Sequence, residues 1–198
     1  MSKTQQVLEL SSEVGVIRAK DVAEKGIHRQ YLKRLEQQGF VVHSGRGIYS
    51  FVDAEITNSH TLAQTQLRVP HGVICLLSAL SFYELTTQAP FEVWLAINQK
   101  ARPPKDKLLP MRIVYMSGQS LEAGIEEHQI EGVPVRIYSL AKTIADCFKF
   151  RNKIGLDVAL EALRECWRKQ RCTMDELWHY AKICRVQNVI RPYLESLE

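Results

Sequence analysis

The sequence predicts an α+β protein: an N-terminal winged helix-turn-helix, then an α+β domain with a small sheet and a helical C-terminal tail. Three observations predict it. Residues 26–51, GIHRQYLKRLEQQGFVVHSGRGIYSF, pass from a polar helical segment into two short apolar runs joined by SGRG. FEVWLAI, RIVYM and PVRIYS, between residues 91 and 139, have the β-branched and aromatic content of strands. From Ser139 onward, apolar residues recur at helical spacing almost to the last residue.

In chain order, Val7, Leu8, Leu10 and Val14 suit a first helix over residues 3–14, with Gly15 placed to end it. Val16 and Ile17 form an extended link, and AKDVAEKG gives a second short helix stopped by Gly26. In the third helix Tyr31, Leu32 and Leu35 form one apolar stripe, while Arg29, Gln30, Lys33, Arg34 and Gln37 occupy the remaining face. Two helices joined by a Gly-containing turn, the second polar outside, make a helix-turn-helix. The glycines of SGRG supply the positive φ angles of a tight hairpin, the wing. This module spans residues 1–52, DAEITNSH (53–60) is the connection, and the second domain covers residues 60–198.

In that second domain a helix is expected from Thr61 to Arg68, then a short helix capped by Ser78 with Leu80 and Tyr83 inward. An additional strand is expected at Glu127–Ile130. Ser139 caps LAKTIADCFKF, and Leu156, Ala159, Leu160 and Leu163 give a packed helix. Thr173 with Glu176 forms a capping box, and Asn188 caps a last helix with Pro192 near its first turn.

Composition narrows the function. The net charge is only +4, but residues 1–52 hold eight Lys/Arg against five Asp/Glu, so most of the basic excess sits on the small N-terminal module. No run approaches the roughly 18 apolar residues of a membrane span, and the start lacks the h-region of a signal peptide. A soluble, cytoplasmic protein without a membrane partner is expected. The five cysteines show no paired spacing for zinc and are expected to be reduced thiols. Phosphate-loop, nucleophile-elbow and zinc-protease motifs are absent from the sequence, so neither a cofactor nor a catalytic set is expected.

A helix of this kind enters the DNA major groove, with Arg29, Gln30 and Lys33 on base edges, Arg34 on a phosphate and Gln37 further along the same face. Arg46, at the hairpin tip, suits the adjacent minor groove, whose negative potential attracts guanidinium. Lys142, Lys149, Arg151 and Lys153 form a second basic grouping around a helix end, either favourable against the helix dipole or in contact with phosphate. Lys142 and Asp146, four apart, read as a surface ion pair. Two other readings stay open: a winged-helix-targeted, metal-dependent nuclease drawing on Glu84, Glu92 and Asp146, or a module that binds a protein partner directly.

The stretch GIHRQYLKRLEQQGFVVHSGRGIYSF resembles the winged-helix module of AbiEi-type antitoxins, transcriptional regulators of type IV toxin-antitoxin systems. SAL-x-x-x-x-LT at Ser78–Thr86, VRIYSLAKTIADCFKFRNKIGLDVALEALRE and RPYLESL are similar to that family's C-terminal domain. The resemblance implies an autorepressor that binds double-stranded DNA at inverted repeats in its own promoter. It also implies a nucleotidyltransferase-like toxin as functional partner, counteracted with or without direct binding, and a role on DNA for basic surface in both domains.

Overall fold

The computed structural model describes residues 3–9, 15–45, 47–53, 57–104 and 109–197. They form two compact units. The described residues up to Pro70 make the first, together with Pro104, Leu109 and His128–Val135; the second takes His71–Pro103, Pro110–Glu127 and residues 136–197.

The first unit begins with α1 (Lys3–Glu9), which buries Val7, and β1 (Val16–Arg18). Helices α2 (Ala19–Glu24) and α3 (Gln30–Gln37) follow, then β2 (Val41–Gly45) and β3 (Ile48–Phe51). The expected end of the first helix at residues 10–14 lies outside the described residues. Val16 and Ile17, expected as a link, instead pair with β3 antiparallel, Ile17 opposite Tyr49, and close a three-stranded sheet in the order β1-β3-β2. Their β-branched side chains fit this role, because Ile17 joins Val22, Ile27, Leu32, Leu35, Val41, Tyr49 and Phe51 in one apolar cluster. Arg18 holds the strand-to-helix corner with a fork onto Asp21 (2.9–3.2 Å). That hydrogen bond is also the main reason its guanidinium is raised above the usual value.

After the sheet comes α4 (His60–Arg68). Glu131 belongs to this unit as well. Its carboxylate, 3% exposed, accepts from the Thr57 amide and hydroxyl (both 2.9 Å) and meets His60 Nδ1 at 2.6 Å. Its backbone carbonyl accepts from the Gly15 amide at 3.1 Å.

The second unit holds β4 (Val73–Ile74), β5 (Val93–Asn98) and β6 (Met111–Met116), with part of β7 (Ile125–Ile130) and part of β8 (Val133–Tyr138), whose residues 128–130 and 133–135 are counted in the first unit. The sheet order is β6-β5-β4-β8-β7. Antiparallel β4–β5 sits between the parallel pairs β4–β8 and β5–β6. Val93–Ile97 is buried without interruption, as a strand covered on both faces must be, and not alternately. Helices α5 (Leu76–Phe82), α6 (Gln119–Glu122), α7 (Leu140–Lys149), α8 (Arg151–Ile154), α9 (Leu156–Arg168), α10 (Met174–Cys184) and α11 (Gln187–Glu195) complete it.

Several local expectations are corrected. Ser78 is not a cap but lies inside α5, buried, where its hydroxyl accepts from the Trp94 amide at 2.9 Å and ties the helix to β5. The buried stripe of α9 is Val158, Ala159, Ala162, Leu163 and Cys166; Leu156 is exposed and Leu160 half-buried. The last helix starts at Gln187 with Val186 before it, so Asn188 is already helical and Pro192 falls in the interior. Ser139 precedes α7 without a side-chain capping bond. The Thr173–Glu176 capping box forms as expected, at 2.8 Å and 3.2 Å. Cys166 and Cys172 are joined as a disulfide with Cα atoms 6.2 Å apart, within the span of such a bridge, whereas Cys75, Cys147 and Cys184 are free and buried.

The largest correction concerns α7. Leu140 to Phe148 are all buried, and Lys142 and Asp146 are both 0% exposed, so their 2.5 Å ion pair is internal and not on the surface. Lys142 Nζ also lies 4.0 Å from the centre of the Tyr138 ring, and the Cys184 thiol donates to Asp146 Oδ1 at 3.2 Å. Burial pushes the Asp146 carboxyl up, while Lys142 and Cys184 pull it back. A buried pair recovers its desolvation only while both charges are present. Asp146→Ala should therefore destabilise the protein by about 3–5 kcal/mol, whereas Lys142→Met with Asp146→Leu should be far milder. Urea denaturation midpoints decide this, and an Asp146→Ala effect below about 1 kcal/mol would refute the internal pair.

The three free thiols give a second prediction. Burial, with the Asp146 charge next, raises Cys75 and Cys147 well above the usual range and pushes Cys184 up to about 12. The folded chain thus keeps protons that the unfolded chain releases above about pH 8.5, so stability must fall as pH rises from there. Each thiol should contribute a loss of about 1.4 kcal/mol per pH unit up to its folded value. A urea midpoint unchanged between about pH 7 and about pH 10 would contradict this.

Candidate nucleic-acid interface

The N-terminal unit aims one polar helix face at solvent. Leu32 and Leu35 are 0% exposed and Tyr31 is half-buried, so the opposite side of α3 carries Gln30, Lys33, Arg34 and Gln37, all exposed. The spacing 30, 33, 34 and 37 puts these four on one face. Arg29 stands just before the first turn, also exposed. The His28 ring accepts from the Gln30 amide at 3.2 Å, satisfying one of the unpaired donors at the helix start. The Arg34 guanidinium lies 5.4 Å over the Tyr31 ring, which restricts its direction without burying it. Beside the start of α3 a shallow groove of about 530 Å³ is bordered by Lys20, Gly26, His28 and Arg29. Tyr49, at the inner side, is raised by burial and by the Glu36 charge, with Arg29 opposing.

The wing follows at once. Gly47, at φ +71°, takes the left-handed turn between β2 and β3, and a bulge falls between His43 and Gly45. Arg46, the expected minor-groove contact, lies outside the described residues.

The support behind the wing was not visible in the sequence. Helix α4, whose apolar content is thin, carries two polar side chains that hold it. The Arg68 guanidinium donates to the Ser44 carbonyl and, at 3.2 Å, to the Gln64 carbonyl; Gln64 Nε2 donates to Ser50 Oγ at 3.2 Å. Ser44 and Ser50 hydroxyls meet across β2 and β3 at 2.6 Å. A Cβ on Gly45 would stand 2.8 Å from the same guanidinium, so a side chain there would push the Arg68 head group aside. The Arg68–Ser44 and Gln64–Ser50 contacts join residues 24 and 14 positions apart, beyond the reach of any local pattern.

The second basic grouping does not stay together. Lys142 is removed from it by burial and cannot reach a phosphate. Lys153 is exposed beside the Phe150 ring, at 5.6 Å. Lys149 and Arg151 instead border a basin of about 1140 Å³ on the second unit. Of the carboxylates considered for metal chemistry, Asp146 is taken by Lys142, Glu92 lies 3.5 Å from Arg112, and Glu84 is exposed elsewhere. Among the described residues these carboxylates do not converge on a common metal site.

If Arg68 anchors the wing, Arg68→Met should speed amide exchange in residues 41–51 by at least about tenfold while leaving α7 protected. Hydrogen exchange read by mass spectrometry tests this, and unchanged exchange in the wing would refute the anchoring role.

Residues 5–52 match the family model described as "Transcriptional regulator, AbiEi antitoxin". The match ends with the wing, so it bears on the helix-turn-helix module and not on the similarity noted for the C-terminal tail. No curated protein matches the chain. No helix among the described residues is long and apolar enough to cross a membrane. The α3 face, the wing and the family match coincide: over residues 5–52 this chain is similar to the transcriptional regulators described as AbiEi antitoxins.

Proposed function

We propose that the protein is a sequence-specific repressor of its own promoter and the antitoxin of a type IV toxin-antitoxin pair, counteracting a nucleotidyltransferase-like toxin. The observation that supports this reading most is the exposed face Gln30, Lys33, Arg34 and Gln37, backed by the fully buried Leu32 and Leu35 and flanked by the wing. Arg29, Gln30 and Lys33 read base edges in the major groove, where Arg and Gln can bond bidentately to guanine and adenine. Arg34, steadied on Tyr31, contacts a phosphate, Gln37 extends the same face, and Arg46 enters the minor groove. Lys153, exposed on the second unit, is assigned to a further phosphate contact.

A single winged helix buries roughly 600–1,000 Å² on DNA, so one copy gives limited specificity and two copies on an inverted repeat are required. The test is a gel-shift titration against the region upstream of the gene. Arg29→Ala and Lys33→Ala should each cost about 1–3 kcal/mol and relax specificity at one position. Arg34→Ala should weaken all sequences alike and lower the salt slope by about one unit. If the Arg29→Ala/Lys33→Ala double variant binds with unchanged affinity and specificity, α3 is not the reading helix.

A further inference from the structure

The basin bordered by Lys149 and Arg151 is a separate feature of the second unit and does not depend on the DNA reading. Lys182 and Arg185, from the end of α10, border it too, so four basic side chains from the end of α7, from α8 and from the end of α10 line one concavity. None of the four has an ion pair to a carboxylate among the described residues, and the described residues that border the basin include no carboxylate. Lys149 is held toward α6: its Nζ donates to Ser120 Oγ at 3.2 Å, and that hydroxyl donates to the Ile183 carbonyl at 3.2 Å. Arg151 is fixed by a 2.9 Å bond to the Phe148 carbonyl.

Arg185 is the most telling member. It takes the left-handed conformation, φ +60° and ψ +40°, at the end of α10, a position where glycine or asparagine is the usual occupant. Its side chain is exposed, so packing does not account for an arginine there. The helix dipole favours cations at helix C-termini, but it does not account for four of them facing a shared concavity with no carboxylate among its described lining residues. Tyr115, 47% exposed, stands at the same basin.

We infer that this basin binds a small organic anion carrying two or more phosphate groups. Lys149, Arg151, Lys182 and Arg185 supply the charge, and Tyr115 a face for a flat or apolar portion. Phosphate fits better than carboxylate because each phosphate group brings roughly −1.5 to −2 of charge and three strong acceptor oxygens, against a single charge and two oxygens for a carboxylate. Two phosphates, each carrying roughly −1.5 to −2, also balance the four positive charges. A volume of about 1140 Å³ admits a ligand with more than its phosphates.

Isothermal titration of the full chain with inorganic tripolyphosphate tests the charged part of the site. Saturable binding is expected, weakened at least about tenfold in Lys182→Ala/Arg185→Ala and unchanged in Arg164→Ala, an exposed position of α9 outside the basin. Arg185→Gly separates a binding role from a structural one: glycine suits the left-handed position, so the urea midpoint should hold or rise while tripolyphosphate affinity falls. Absence of saturable binding would overturn the proposal, as would equal weakening by Arg164→Ala, which would mean diffuse charge. It would also be overturned if the double variant lost affinity for a duplex of unrelated sequence but not for tripolyphosphate, because the basin would then be a nucleic-acid surface.

Discussion

The complete burial of Leu32 and Leu35 is the constraint on which the N-terminal unit depends. A helix of eight residues has little stability of its own, since nucleating it fixes several residues for few hydrogen bonds. Burying two leucines, each contributing about 1.5–3 kcal/mol, makes α3 a fixed element against Ile17, Val22, Val41 and Phe51. The same burial sets its rotation. With Leu32 and Leu35 inward, Gln30, Lys33, Arg34 and Gln37 have only solvent to face. The chemistry of the face and the stability of the unit are thus consequences of one packing decision, and the wing is aligned to it because Val41 and Phe51 belong to the same cluster.

The second unit is organised by a different kind of constraint. Its central helix α7 is buried on nearly every side, yet carries a lysine and an aspartate, neither of which can be left alone in a medium of low polarity. Their mutual distance, the Tyr138 ring and the Cys184 thiol together satisfy the pair from three elements, β8, α7 and α10. Apolar residues could fill the same space in more than one register; a paired charge with a directed thiol admits few. That specificity helps fix where α10 ends, and with it the position of Lys182 and Arg185 at the basin.

Much of this was legible in the sequence, for reasons that differ by element. The SGRG hairpin and the Thr173–Glu176 box are local chemistry, complete within a few residues, and formed as expected. The strands β5, β6 and β8 were recognisable from their β-branched and aromatic content. Helix α9 is legible in the sequence but its inward stripe is not, because Leu156 and Leu160 compete with Val158 and Ala162, and only tertiary packing chooses between them. Lys142 and Asp146 have the spacing of an ion pair whether exposed or buried, so the pattern gives the pair and not its environment. Ser78 looked like a cap because serine before an apolar run usually is one; its partner, the Trp94 amide, is sixteen residues away. Arg68 and Gln64 were passed over for the same reason, their partners being on the wing.

Glu131 carries an implication for how the DNA-contacting module can be isolated. The carboxylate that gathers Thr57 and His60, and the carbonyl that receives the Gly15 amide, come from a residue 61 positions beyond the end of the helices and strands that they brace up to Pro70. Gly15 in turn accepts from the Phe51 amide at 3.1 Å, at the base of the wing. A fragment cut after the wing, or even after Pro70, would keep α3 and its leucines but lose this brace, exposing the base of the wing to solvent. The module that a sequence comparison delimits as contiguous is, in physical terms, a discontinuous one.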